Sequence, residues 1–293
     1  MSTHSFISVN WEIFIFKQHL MKKIIIAFDG MHFAEPALQM AASLHQVSPV
    51  QVTGVFLNSV DYTALWAFPI IPGAPGVTIP AESAADEALL KANIAKFEDL
   101  CRGLEIPYKV HDDSDGLVFE EVKKESRFAD LLLICSELFY QNLGKQPNDY
   151  LKTILQMVEC PVIIVPDSSK IPQSLVLLYD GSESSVFAIK QFAYQFPELC
   201  KKQTRLLYAG EESGNIPDQI YIEELVLRHY PNLMIETMPA KQGAHLQEWM
   251  DAHGNPLVVT GSFGRSGISQ LFRKSFLTEL IQQHRTPLFI AHK

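Results

Sequence analysis

The chain repeats itself once, and that repeat constrains its fold more than any other feature. Lys23 to Phe28 is a β-branched apolar run that ends in Asp29-Gly30 and leads into helical spacing at Ala34, Leu38, Ala41 and Leu44. Ser174 to Tyr179 does the same 151 residues later, ending in Asp180-Gly181 before Val186, Ile189, Phe192 and Ala193. Further on, Asp130–Ser136 matches Pro256–Ser262 and Cys160–Val165 matches Thr286–Ala291, both at an offset of 126. The first copy is thus the longer by 25 residues. Repeats of this length are stacked units in their own right, not turns of a solenoid.

Within each copy, short apolar runs alternate with helical patterns in the order β-α-β-α-β-α-β-α-β. The expected strands are 23–28, 50–57, 106–111, 130–135 and 161–165, then 174–179, 204–209, 233–238, 257–260 and 287–291. Such alternation predicts an α/β fold: two tandem doubly wound, Rossmann-like domains, each a five-stranded, mainly parallel sheet with helices on both faces. The expected division is a loose arm or misassigned start at 1–20, a first domain over 21–166, a linker at 167–173 and a second domain over 174–293. Met21-Lys22-Lys23 directly precedes the first strand, which makes Met21 a candidate natural start. The extra length falls mostly in 58–85, a segment rich in proline and aromatics that reads as a packed surface loop, or as a lid or partner contact. The closing strands would be unpaired edges in isolated domains, and such edges attract partners.

Composition excludes several functions. A formal net charge of -9, with no basic stripe, argues against a nucleic-acid partner. Glu12 and Lys17 interrupt the one apolar patch near the start, so no window reaches transmembrane length, and residues 1–20 lack a signal-peptide pattern. The four cysteines, Cys101, Cys135, Cys160 and Cys200, show no CxxC spacing and read as reduced core thiols of a cytoplasmic protein. Ten histidines without HxH or HxxxH spacing give a metal site little support. Asp112, Asp113 and Asp115 read as a solvated loop more readily than as a Mg2+ site.

Doubly wound sheets bind ligands at the carboxyl ends of their strands, where strand order reverses. Asp180 and the turn from Gly261 to Gly267 both fall at such ends. Residues 257–276 pass from a buried strand through Gly261, Gly264 and Gly267 to a helical run, and carry Arg265, Arg273 and Lys274 with no acidic residue. A strand, a glycine turn and a helix start can wrap backbone N–H groups around a phosphate.

These residues resemble the universal stress proteins, here in tandem, over 23–166 and 174–292. The resemblance rests on the strand-Asp-Gly-helix openings, the CPVIIVP and TPLFIAH closing strands and the glycine turn. Nucleotide-binding members of that family carry Gly, two residues, Gly, nine residues, then Gly and Ser or Thr. Here Gly261 and Gly264 match, residues 265–273 supply the nine, and Lys274-Ser275 follows. The resemblance implies that Asp180 sits by the adenosine and that Ala209 offers backbone groups to adenine. It places Gly261, Gly264, Arg265 and Gly267 along the ribose and phosphates, with Ser275 on a terminal phosphate of ATP. Lys274 departs from the family's glycine; a side chain there either crowds a triphosphate or adds a cation for it. The family's edge pairing implies that the two copies form a pseudo-dimer within one chain, while association into a homodimer stays open.

The first copy lacks the motif, since Cys135, Leu138, Gln141, Asn148 and Asp149 stand at the aligned positions. Its Asp29 is expected to cap the following helix instead. No GxSxG elbow, Walker motif or supported nucleophile occurs, and Ser182 and Ser184 read as ordinary helix-start residues. The resulting reading is a stress-response protein that binds an adenine nucleotide, with ATP foremost and Mg2+ as a companion, as a sensor or interaction module. Two alternatives remain: a slow ATPase or self-phosphorylating protein using Ser275 or bound Mg2+, and a non-nucleotide protein with both sites decayed.

Overall fold

The computed structural model describes residues 21–29, 33–57, 84–111, 118–135, 154–166, 172–210, 215–239, 246–254, 256–261, 280 and 285–291. Among these residues ten strands form one sheet: β1 (Lys22–Asp29), β2 (Val50–Leu57), β3 (Tyr108–His111), β4 (Leu131–Cys135), β5 (Val162–Val165), β6 (Ser174–Tyr179), β7 (Gln203–Gly210), β8 (Leu233–Pro239), β9 (Leu257–Gly261) and β10 (Leu288–Ala291). Each lies within two residues of its expected position. The helices are α1 (Glu35–Val47), α2 (Ala84–Gly103), α3 (Val118–Arg127), α4 (Glu183–Gln195), α5 (Gln219–His229) and α6 (Leu246–Ala252).

The sheet order is β3-β2-β1-β4-β5-β10-β9-β6-β7-β8. Its two halves therefore share one strand order, read outward from the centre. Strands are parallel within each half, and β5 meets β10 antiparallel. The registers reproduce the sequence offsets: Ile24 pairs with Leu131, and Leu175, 151 residues on, pairs with Leu257, 126 on. Across the centre Ile163 faces Phe289, its own repeat mate, so a pseudo-twofold axis passes through that pair. The edge pairing expected between copies is thus made inside one chain.

Buried side chains cover both sheet faces, which is why β4, β5, β9 and β10 read as continuous apolar runs without alternation. One core contains Ile24, Leu133 and Ile163 from the first half together with Leu177, Val259 and Phe289 from the second. It lies beneath α1, α2, α4 and α5. The other core, on the opposite face, contains Ile25, Leu132, Val176, Val258 and Met250. Polar contacts also cross the centre: Gln195 donates through Nε2 to the Asp130 carbonyl at 2.8 Å, and Lys22 Nζ lies 5.8 Å from the Phe196 ring centroid.

All four cysteines are buried, and none is in a disulfide. Burial pushes the thiols of Cys101, Cys160 and Cys200 up to about 12, which leaves them protonated and unreactive near neutrality. The expected arm 1–20, residues 58–83 of the long loop, the acidic loop 112–115 and linker residues 167–171 lie outside the described residues.

Helix α3 is fastened to the first half by Glu125, whose Oε2 accepts from Lys23 Nζ at 3.0 Å while Oε1 meets His111 Nδ1 at 2.6 Å. Burial alone would raise the Glu125 carboxyl, but the Lys23 and His111 partners outweigh it and hold the group below its ordinary value. A depressed carboxyl contributes stability above its unfolded value and loses it as pH falls through the folded value. Glu125→Gln should therefore cost about 1 kcal/mol at neutral pH. That deficit should shrink toward zero in strong acid, as read from urea midpoints at pH values on either side of carboxyl titration.

Candidate functional site

Strand order reverses between β6 and β9, so their carboxyl ends diverge around a crevice. Three features build its floor. The first is the turn after β6, where Gly181 has φ +80°, in the left-handed region that favours glycine. A Cβ on Gly181 would also stand 2.9 Å from the Pro217 side chain. The Asp180 carboxylate accepts from the Ser182 N–H at 3.0 Å, closing an Asx turn that aims the chain into α4.

The second feature is the start of α4 itself. Ser182 is its N-cap, accepting from the Ser185 N–H at 3.2 Å, and Glu183 lies in the first turn. Ser182 thus has the helix-start role expected of it. The positive end of a 13-residue helix consequently points at the crevice.

The third feature is Gly261, the last residue of β9. A Cβ placed there would lie 2.3 Å from both the carbonyl carbon and oxygen of Ser184, and 2.5 Å from the Ser185 nitrogen. The helix start rests on bare backbone. This contact accounts for glycine at 261 by packing alone.

A short segment covers one side. Tyr179 donates its hydroxyl to the Pro217 carbonyl at 2.8 Å. Burial, with Asp218 and Asp180 nearby, pushes the Tyr179 phenol above its ordinary value and keeps it a neutral donor. Asp218, next in the chain, has φ +50°, an uncommon conformation for a residue with a side chain. Its carbonyl accepts from the Tyr221 and Ile222 N–H groups at 3.0 Å each, which starts α5.

Of the expected site residues, the structure brings Asp180 and Gly261 to the two strands that flank the reversal point. Ala209 lies in β7, one residue past Tyr208, the register partner of Tyr179, and is thus at the same sheet end. Gly264, Arg265, Gly267, Lys274 and Ser275 lie outside the described residues. Pro217, Asp218 and Tyr179 were not singled out by sequence reasoning; a proline-aspartate pair two residues after Asn215 was the available signal.

The first half closes the corresponding place differently. Phe28 and Phe56, equivalents of Tyr179 and Tyr208, stack with ring centroids 4.7 Å apart. Phe33 stacks on Phe28 at 5.1 Å, and Phe97 meets both Phe28 and Phe56 edge-on. Asp29 does not serve as the N-cap of α1, contrary to expectation. The helix starts from Ala34, which has no capping side chain, with Glu35 and a proline in its first turn. Counted through the repeat, α1 begins later than α4, and Phe33 takes the place of Ser184. The local reason is Pro36 in the first turn of α1, whose fixed φ and missing N–H suit the start of a helix and not its interior.

Comparison with solved structures agrees with this architecture. A universal stress protein from Archaeoglobus fulgidus DSM 4304 superposes with a TM-score of 0.65 at 11% identity, over 93% of this chain and 96% of that one. The fold is that of the universal stress proteins. A functionally unknown Pseudomonas aeruginosa PAO1 protein shares this universal stress fold at a TM-score of 0.56 and 12% identity, over 93% of this chain and 92% of that one. The cytoplasmic domain of a prokaryotic cation chloride cotransporter also matches, with a TM-score of 0.50 and 7% identity over 92% and 95% of the two chains. No protein-family model matches the sequence, and no curated protein does either. Among the described residues, no helix of this universal stress fold is long and apolar enough to cross a membrane, and no cluster of ligands is placed to hold a metal.

Proposed function

We propose that the second half binds an adenine nucleotide, ATP foremost, in the β6–β9 crevice, and that the chain acts as a cytoplasmic stress-response sensor or interaction module. The observation that carries this reading is the start of α4. It opens at the reversal point beside the strand end from which the basic glycine turn departs. Backbone N–H groups at a helix start and the cations Arg265, Arg273 and Lys274 together suit a polyphosphate. On this reading Asp180 and Ala209 face the nucleoside, Gly264, Arg265 and Gly267 follow the phosphates, and Ser275 and Lys274 hold the far end. Mg2+ would accompany the phosphates. Gly261 has a supporting part, bringing the turn against α4.

Among the described residues the first half does not offer the same cradle. Its aromatic cluster fills the end of the sheet, and α1 starts later. One site per chain is the consequence, with the two copies as separate domains of an internal pseudo-dimer. A fold also found as the cytoplasmic domain of a cotransporter suits a regulatory module. The contact of Gly261 with α4 favours one competing reading, in which the glycine serves packing alone and no nucleotide binds.

The deciding experiment is to denature the natively purified protein and identify any released nucleotide, together with ATP titration of thermal stability. Binding at a hundredfold excess over Kd should add about 2.7 kcal/mol. Ser275→Ala and Gly264→Val should weaken or remove that gain. Protein that is empty and insensitive to ATP would leave the packing reading standing. Conversion of bound ATP to ADP over hours would instead promote the slow ATPase.

A further inference from the structure

We infer that helix α4 couples the crevice of the second half to the first half, so that occupancy at the helix start is read at β1 and β4. The inference rests on the nucleotide reading above and gives that site a regulatory output. Three observations carry it.

The first is how tightly α4 is seated. At its start, a β-carbon on Gly261 would lie 2.3 Å from the Ser184 carbonyl atoms, so strand end and helix touch through bare backbone. Gln195 closes the same helix, about 15 Å along its axis from Ser185. Ile189, Phe192 and Ala193 hold the helix against the core between those points. A hydrogen-bonded helix is a rigid element, so a ligand that displaces its start displaces its end.

The second is what that end touches. Gln195 Nε2 donates to the Asp130 carbonyl at 2.8 Å. Asp130 clasps Lys23 in turn, accepting the Lys23 N–H on Oδ2 at 2.8 Å and giving its own N–H to the Lys23 carbonyl at 2.9 Å. Lys23 Nζ then reaches Glu125 of α3, which meets His111 of β3. A line of hydrogen bonds thus runs from α4 to the outer strand of the first half. A fully symmetric pair of copies would make the crossing bond twice. Leu44 and Pro256 stand at the places aligned with Gln195 and Asp130, and leucine has no amide to donate. Among the described residues, this bond comes only from the half that carries the glycine turn.

The third is that the joint is incomplete. Gln195 Oε1 is buried and accepts no hydrogen bond among the described residues. A buried acceptor without a donor is costly, which brings a second arrangement of the amide closer in energy. Lys22 stands at the same joint, its ammonium 5.8 Å from the Phe196 ring centroid and donating to Ser48 Oγ at 3.1 Å. A slide of α4 that carries Gln195 Oε1 to that ammonium would give up the Asp130 bond and loosen the clasp on Lys23. Such a discrete exchange of partners is what coupling between distant sites requires.

The test is amide hydrogen exchange of the full chain with and without ATP. In wild type, ATP should slow exchange in the first turn of α4 and quicken it at Lys23 and Asp130 by roughly fivefold or more. Gln195→Leu, which installs the residue of the first copy, should keep the first effect and lose the second. Linkage makes the coupling reciprocal. Asp130→Ala, which removes the clasp on the Lys23 N–H, should therefore tighten ATP binding in the wild-type background and leave it unchanged in Gln195→Leu. A merely destabilised joint does not produce that pattern. ATP that protects α4 but leaves Lys23 and Asp130 unchanged, or alters them equally in Gln195→Leu, would overturn the coupling alone. Wild type that binds no ATP would end the nucleotide reading and this inference with it.

Discussion

Gly261→Val is expected to lower the thermal midpoint by on the order of 10 °C, whether or not nucleotide is present. The reason is steric and local. Any Cβ at this position would stand 2.3 Å from the Ser184 carbonyl atoms and 2.5 Å from the Ser185 nitrogen. These are backbone atoms in the first turn of α4, so no side chain can rotate away to make room. Either α4 lifts from the sheet or β9 bends, and α4 carries Ile189, Phe192 and Ala193 into the core. Overpacking of this kind costs roughly 3 kcal/mol or more. At ~2–4 °C for each kcal/mol in domains of 150–250 residues, that gives the expected shift. Cys135→Val, at the aligned place in the first half, should change the midpoint little, because that site already accommodates a β-carbon and a sulfur. If calorimetry shows Gly261→Val melting with wild type, the close contact is not a feature of the folded protein. The comparison also bears on nucleotide binding: loss of ligand in a Gly261 variant would follow from a displaced α4, so Gly264 and Ser275 are the cleaner positions to change.

Much of the fold was legible because parallel strands buried on both faces leave unbroken branched runs. Leu131–Cys135 and Leu257–Gly261 are such runs, and their shared offset announced the shared register. The antiparallel meeting of β5 and β10 was legible for a related reason, since two equal copies with unpaired edges can satisfy each other. The start of α1 was missed because Asp29-Gly30 looks like Asp180-Gly181 in sequence, yet α1 starts where Pro36 enters its first turn and α4 starts from the Ser182 cap. The same blindness applies to Gly261. A glycine on a strand end suggests a phosphate turn, and only the position of α4 reveals that the missing β-carbon makes room for backbone. The aromatic packing of Phe28, Phe33, Phe56 and Phe97 likewise depends on contacts far apart in the chain, though phenylalanine near the ends of both first strands was a sign of it. For the crevice as a whole, sequence placed Asp180 and Gly261 at the right ends of the right strands. For Pro217 and Asp218 it offered a turn signal but not their place beside Tyr179 and Gly181.

Phe289→Ala is expected to cost about 4 kcal/mol and to loosen both halves together. Phe289 is fully buried at the pseudo-twofold axis, opposite Ile163 in the register. Its ring meets Phe192 edge-on at 5.1 Å and Phe196 at 6.4 Å, so truncation opens a void beside both of those rings. The core that contains this cluster does not stop at the axis but continues through Ile163, Val165 and Leu133 into the first half. Lys22 over the Phe196 ring and Gln195 bonded to Asp130 fasten the first half to the same helix end. Stability of 5–15 kcal/mol is usual for a domain, so a loss of this size is a large fraction of the total. If the sheet unfolds as one unit, amide exchange should quicken in β1 and β4 as well as in β6 and β9, and the heat-capacity peak should stay single and move down. A variant in which β6 and β9 exchange faster while β1 and β4 keep wild-type protection would show instead that each half stands on its own core. The edge pair Ile163–Phe289 would then be an adhesive contact between two self-sufficient domains, and the tandem chain an oligomer tied together by its linker.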